Sequence, residues 1–246
     1  MNMTGNTILI TGGGSGIGRG LAEALQARGN TVIIAGRRAA LLEEVAAANP
    51  GVATAVLDVS DAADIARFAR EIVAAHPALN VVVHNAGIMG PEQLTAPDYD
   101  LAYAELTVAT NILGPLRLNA ALLPHLLAQA KATIATVTSG LAFVPLAATP
   151  TYSATKAAMH SWSQSLRHQL KDTSVEVIEI APPAVATDLM PGHAENPQSM
   201  PLDAYIAETI AQIEAGAPEN LVERVKFLRF AEARGDYAEV FKALNG

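Results

Sequence analysis

The sequence predicts an α/β fold: a doubly wound parallel sheet of about seven strands with helices on both faces, in three α/β/α layers. Short β-branched runs alternate with longer Ala/Leu-rich stretches of helical period, the mark of repeated βαβ units. The strand candidates are near-continuously apolar, as strands covered on both faces must be. A glycine-rich turn follows the first of them and opens the first helical stretch. The chain has 246 residues, half of them apolar and 16% charged. That is enough for a sizeable core and too apolar for intrinsic disorder.

Taken in order, residues 7–11 read as a strand, 17–28 as a helix, 31–35 as a strand and 39–48 as a helix. A strand at 53–57 and a helix at 62–76 follow, and Asp61 and Asp64 give that helix an acidic start that suits its dipole. Next come a strand at 80–84, a long helical stretch over 98–128 with a break inside it, a strand at 133–138, a helix at 152–171 and a strand at 174–180. No linker rich in Pro, Gly or Ser divides the chain before residue 181, so one domain over 1–246 is expected. From Pro182 to Pro201 the texture turns dense in Pro, Gly, Asn and Ser. A segment that long inside a compact domain is either a plain surface loop or a substrate lid. A helix over 202–215, a short edge strand at 220–222 and a charged helical tail complete the reading.

The chain has no cysteine and a net charge of −8. Disulfides, thiolate metal sites and thiol nucleophiles are excluded. With no dense Lys/Arg block, nucleic acid is not an expected partner. Neither a secretory leader nor a membrane span is expected: MNMTGNTILITGGG lacks the leader pattern, and no run reaches roughly 18 uninterrupted apolar residues. A cytoplasmic protein is the reading. No His/Asp/Glu group has metal-ligand spacing, so no metal is expected.

The turn after the first strand reads Thr11-Gly12-Gly13-Gly14-Ser15-Gly16-Ile17-Gly18. Glycines there let backbone approach a pyrophosphate, whose charge the helix N-terminus favours. The spacing is Gly-x3-Gly-x-Gly without a Gly-Lys-Ser/Thr ending, which excludes a nucleotide triphosphatase loop. The second strand ends in Gly36-Arg37-Arg38. An acid at that place would select NAD(H) by binding the ribose 2′-hydroxyl. Two arginines instead suit a 2′-phosphate, so NADP(H) is preferred over NAD(H); the plainer alternative is two cations opening a solvated helix.

The chemistry centres on Ser139, Tyr152 and Lys156. Tyr and Lys four apart on a helix lie about 40° apart around its axis and face one pocket. A lysine ammonium beside a phenol is expected to lower its pKa from about 10 toward working pH. With five Tyr and five Lys in the chain, an accidental Tyr-x3-Lys is expected roughly 0.1 times.

In these motifs the chain resembles the short-chain dehydrogenase/reductase family, in its single-domain, NADP-preferring branch. TGGGSGIG at 11–18, Asp58-Val59 after the third strand, HNAG at 84–87, Asn111, Ser139 thirteen residues before the tyrosine, YSATK at 152–156 and PPAVAT at 182–187 occur in the family's order. The resemblance implies a Rossmann-type fold and a hydride exchange between NADP(H) and a secondary alcohol or ketone. Tyr152 would serve as acid/base, Lys156 would tune it and hold the nicotinamide ribose, Ser139 would bind the substrate carbonyl, and Asn111 would hold a relay water. Gly12, Ser15, Gly16, Ile17, Gly18, Arg37, Arg38, Asp58, Val59, Asn85, Ala86, Gly87, Pro182, Val185 and Thr187 would line the cofactor, with Tyr152 and Lys156.

Leu141, Phe143, Val144 and Leu146, after the serine, are expected to wall an apolar substrate pocket, with Leu141 and Phe143 touching substrate beside Ser139 and Tyr152. The helices around 111–127 and 154–170 are more apolar than a solvent-facing helix needs. The corresponding helices pair subunits in the family, so the resemblance implies a homodimer or homotetramer; the plainer alternative is ordinary sheet-facing helices. The chain departs from the family pattern at His84, commonly Asn, at Pro183, commonly Gly, and in lacking a Gly-rich C-terminus. A non-catalytic NADPH-binding sensor or scaffold is the alternative. An epimerase or dehydratase of the extended branch is a further one, for whose larger substrate domain 246 residues leave no room.

Overall fold

The computed structural model describes every residue except Pro191 and His193. Strands β1 (Thr7–Thr11), β2 (Thr31–Gly36), β3 (Ala53–Val56), β4 (Leu79–His84), β5 (Ala132–Val137), β6 (Val175–Ile180) and β7 (Glu219–Asn220) form one sheet in the order β3-β2-β1-β4-β5-β6-β7. Every pairing is parallel. The order reverses between β1 and β4, the switch point where such sheets open a crevice beyond their strand C-termini.

Apolar residues on successive strand positions serve two cores. Ile8, Ile10, Val32, Ile34, Val81 and Val83 face one layer; Leu9, Ile33, Val82, Ile134 and Val177 face the other. The first layer takes Leu21, Ala22 and Leu25 of α1 (Gly16–Gln26), Leu42 and Val45 of α2 (Ala39–Ala48), and Tyr205, Ile206 and Ile210 of α7 (Leu202–Glu214). Behind the other face lie α3 (Ala62–Ala75), α5 (Gly114–Leu127) and α6 (Pro150–Leu170). Asp61 caps α3 by accepting from the amides of Ala63 at 2.7 Å and Asp64 at 3.3 Å.

The break expected inside 98–128 is a π-turn at Ala109–Leu113 between α4 (Ala102–Val108) and α5. It carries Asn111, and π-turns recur at functional sites. The whole helical run Ala102–Leu127 is long and apolar enough to cross a membrane by length and composition. Here Leu118, Leu122 and Leu126, all fully buried, spend that apolarity on the core under the sheet.

The segment from Pro182 to Pro201 is closed at its base. Val185 pairs with Met200 in a parallel bridge, the Met200 amide donates to Ala184 at 2.8 Å, and the Ala186 amide donates to Met200 at 2.9 Å. After α7, the tail forms α8 (Glu223–Arg229), α9 (Ala231–Arg234) and α10 (Tyr237–Asn245). Asn245 ties it back, donating to the Pro145 carbonyl at 3.1 Å and accepting from the Ala147 amide at 2.5 Å.

Candidate active site

A cleft of about 850 Å³ runs along the C-terminal ends of β1, β2, β4, β5 and β6. Its first wall is the glycine turn after β1. Gly12 has φ +69°, and a Cβ there would lie 2.9 Å from the Ala86 Cα; a Cβ on Gly18 would lie 2.3 Å from the Gly12 carbonyl and 2.4 Å from the Asn85 amide nitrogen. The turn thus leaves no room for side chains at these points and presents backbone to the cleft. Gly18→Ala is expected to destabilise the fold by ~1–3 kcal/mol through overpacking and to weaken dinucleotide binding. A denaturant curve and a cofactor titration at wild-type level would contradict this.

Thr11 joins this turn to the next wall. Its hydroxyl accepts from the amides of Asn85 and Ala86, each at 3.1 Å, and donates to the Val83 carbonyl at 3.2 Å. The Asn85 side chain returns a bond to the Thr11 carbonyl at 2.9 Å. Gly12, Ser15, Gly16, Ile17, Gly18, Val59, Asn85, Ala86 and Gly87 line the cleft, as do Arg37 and Arg38, exposed at the end of β2. Arg38 donates to the Ser15 hydroxyl at 3.4 Å.

Asp58 does not line the cleft, contrary to the expectation for adenine contact. Its Oδ1 accepts from the Ser60 amide at 2.9 Å and hydroxyl at 2.6 Å, closing the turn that leads into α3. Its neighbours Leu57 and Val59 are the residues that reach the cleft.

Ser139 follows β5 and starts a short 3-10 turn over Gly140–Ala142, its Oγ accepting from the Leu141 amide at 3.1 Å. Tyr152 and Lys156 rise from the first turns of α6, which Pro150 opens at a position that needs no amide donor. All three side chains are buried and line the cleft. Lys156 donates to the Val137 carbonyl at 2.8 Å, and its Nζ lies 5.5 Å from the centre of the Tyr152 ring.

Asn111 is 2% exposed and stands behind the cleft rather than in its lining. Its Oδ1 accepts from the Ile88 amide at 2.9 Å; its Nδ2 donates to the Ile88 carbonyl at 2.9 Å and to the Thr155 hydroxyl at 3.2 Å. It approaches Lys156 across Gly87, where an added Cβ would meet the Asn111 Oδ1 at 3.3 Å and the Lys156 Nζ at 3.7 Å.

Burial dominates the electrostatics of the pair. It pushes the Tyr152 phenol up to about 12, with the neighbouring Ser139 hydroxyl drawing it back. Burial likewise pushes the Lys156 ammonium down to about 8. The expected lowering of the phenol by Lys156 is therefore not what this chain alone produces: the downward pull comes from Ser139.

Lys156 also makes stability pH-dependent. Between pH about 8 and 10.5 the unfolded chain holds a proton that the folded protein lacks, so stability rises with pH through that window. Tyr152 acts oppositely: its folded pKa is raised, so its contribution is lost above pH 10. Lys156→Met is expected to remove a rise of ~3 kcal/mol. Denaturation midpoints with the wild-type slope between pH 8 and 10 would contradict it.

Leu141 and Leu146 line the cleft beyond Ser139, together with Met89, Tyr103 and the tail residues Leu228 and Leu244. The tail residues were missed: Val240 and Leu244 share a helical stripe, but nothing in sequence says which wall they cover. Phe143 and Val144 do not line the cleft. The Phe143 ring lies edge-on to His160, centroids 4.8 Å apart, with the Arg229 guanidinium 4.8 Å from its centre. Val144 is fully buried against Ala231 and Val240. Pro182, Pro183, Val185 and Thr187 close the cleft over β6.

His84 is buried between β4 and α6, edge-on to Trp162, with its pKa held near 4 by burial. It is a neutral packing residue.

A glycine cradle at the switch point, facing a buried Ser, Tyr and Lys, marks a dinucleotide-binding oxidoreductase scaffold. The chain belongs to the short-chain dehydrogenase/reductase family: the short chain dehydrogenase family model matches residues 6–198. Over 249 aligned residues it is 42% identical to an uncharacterized oxidoreductase, DltE, of Bacillus subtilis (strain 168), covering 100% of this chain and 98% of that one. A short chain dehydrogenase from Burkholderia cenocepacia J2315, solved in complex with NADP, superposes with a TM-score of 0.85 at 25% identity, over 99% of both chains. A short chain dehydrogenase/reductase from Burkholderia phymatum, solved in complex with NAD, shares the fold at TM-score 0.81 and 20% identity, over 98% of this chain and 96% of that one.

Proposed function

We propose that this protein is an NADP(H)-dependent oxidoreductase acting on the CH–OH group of a secondary alcohol, or on the corresponding ketone, with Tyr152 as the acid/base. The observation that carries the reading is the convergence of Ser139, Tyr152 and Lys156 on the cleft that the glycine turn and Arg37-Arg38 also line. Hydride chemistry is what the nicotinamide supplies when bound. The turn around Gly12 and Gly18 offers backbone to a pyrophosphate. Arg37 and Arg38 offer two guanidinium groups and no carboxylate at the 2′ position, which supports NADP(H) over NAD(H).

The remaining chemistry belongs to side chains. Ser139 donates a hydrogen bond from its hydroxyl to the substrate oxygen and orients it. Tyr152 delivers a proton to that oxygen in reduction and removes one in oxidation. Lys156 holds positive charge beside the phenol, and Asn111 fixes the backbone of Ile88 next to it.

Leu141, Leu146, Met89, Leu228 and Leu244 make the substrate end apolar, and Lys156 is the only cation there among the described residues. That supports a substrate with an apolar body and no carboxylate or phosphate. The segment from Pro182 to Pro201 would act as its lid. Exposed Leu106 of α4 and Leu113 at the end of the π-turn support pairing of subunits in a homo-oligomer.

A panel of apolar ketones and secondary alcohols, followed by reduced-nicotinamide absorbance with each cofactor, tests the reading. NADPH-linked turnover of apolar members is expected. Tight NADPH binding with no turnover across the panel would instead favour a cofactor-binding sensor.

A further inference from the structure

Directly behind Ser139 lies a charged group that the chemistry above does not use. Glu179 on β6 is completely buried. Its Oε1 accepts from the Thr138 hydroxyl at 2.7 Å, and both carboxylate oxygens lie 2.9 Å from the His160 Nδ1. A carboxylate only accepts, so Glu179 in that form takes this hydrogen bond from the His160 ring. A carboxylate removed from water is tolerable only with such partners.

The two partners belong to the two halves of the site. Thr138 immediately precedes Ser139. His160 stands on α6 in the same stripe as Tyr152 and Lys156, four residues beyond the lysine. The His160 ring also meets Phe143 edge-on at 4.8 Å, four residues after Ser139. Ser139 is therefore bracketed: the residue before it is tied to Glu179, and the loop after it rests on His160. Arg229 holds the loop too, packing over Phe143 while forming an ion pair with Glu219 at 2.6 Å.

We propose that Glu179 and His160 are a positioning pair, holding segment 138–143 and its serine in register with the helix that carries Tyr152 and Lys156. The proposal rests on the functional reading given above. A metal ion is the less suitable occupant, although His160, Glu179 and Glu219 place ligand atoms within 4.8 Å of one another. Arg229 forks Glu219 at 2.6 and 3.3 Å, and Thr138 already occupies Glu179.

Thr138→Val keeps the side-chain shape and removes the hydroxyl, while Thr138→Ser keeps the hydroxyl. T138V is expected to lower kcat about ten- to a hundredfold through misplacement of Ser139, with KM for NADPH unchanged and T138S restored to near wild type. Wild-type kcat in T138V would overturn the proposal. So would a T138S variant as slow as T138V, which would assign the effect to methyl packing.

Should T138V not fold, His160→Gln probes the second anchor, since that side chain is 17% exposed. It keeps a donor for Glu179 and removes the ring from Phe143, and the same fall in kcat at constant KM is expected; an unchanged kcat counts against the pair. If the wild type turns over no substrate at all, the functional reading fails by itself. Hydrogen exchange of the Leu141 amide, which donates to Ser139, then decides the pair. Faster exchange in T138V that is reversed in T138S supports it, and unchanged exchange refutes it.

Discussion

Tyr152→Phe is expected to lower kcat by about 10²–10⁴-fold, the usual worth of a positioned proton donor, while leaving NADPH affinity near wild type. The phenol is 6% exposed in the wall of the cleft, and the substitution removes one oxygen without changing the ring that packs there. Ser139 and Lys156 stay in place, so orientation survives and proton transfer does not. The selectivity of the loss is the signature: a fall in turnover without a fall in cofactor binding. Equal losses in both would mean that the hydroxyl serves the cofactor or the fold. Turnover near wild type would remove Tyr152 from the proposed chemistry.

The second large effect concerns cofactor choice. In Gly36→Asp combined with Arg37→Ile, preference is expected to swing from NADPH toward NADH by at least about a hundredfold. One charge-assisted hydrogen bond to the 2′-phosphate, worth ~1.5–3 kcal/mol, is lost, and a repelling carboxylate is placed where it binds a ribose hydroxyl. The site accepts the new side chain: a Cβ on Gly36 would meet only the Leu42 Cδ2, at 3.7 Å. An unchanged ratio of kcat/KM for the two cofactors would show that the arginines are solvated surface charges.

Local order made much of this legible in the sequence. Six strands were visible as short, mostly apolar runs, and β1 spans the predicted 7–11. The edge strand β3 is the exception to coverage on both faces, with Thr54 and Val56 exposed. The glycine turn, Asn85, Ser139 and Pro182 all follow a strand, so naming the strands also placed these residues at one edge of the sheet. Tyr152 and Lys156 were legible through helical spacing alone.

What escaped depends on long-range packing. The convergence of His160, Glu179 and Glu219 joins α6, β6 and β7, and no spacing rule relates residues on three elements. Phe143 looked like a pocket wall because it is apolar and follows Ser139. The 3-10 turn over Gly140–Ala142 instead turns it toward His160 and Arg229. The tail read only as a charged helical stretch, yet Leu228 and Leu244 reach the cleft. The phenol's environment was misjudged for a related reason: helical spacing predicts proximity of Lys156 but says nothing of the burial that holds Tyr152 up at about 12.

The most direct test of the central claim follows the hydride itself. The wild-type protein is incubated with an apolar ketone and NADPH carrying deuterium at the transferring C4 position, and the product is analysed by mass spectrometry. The account predicts a secondary alcohol with one deuterium on the carbinol carbon, formed by the wild type and not by Tyr152→Phe. NADPH bound in the cleft with no deuterated alcohol from any ketone offered would contradict it.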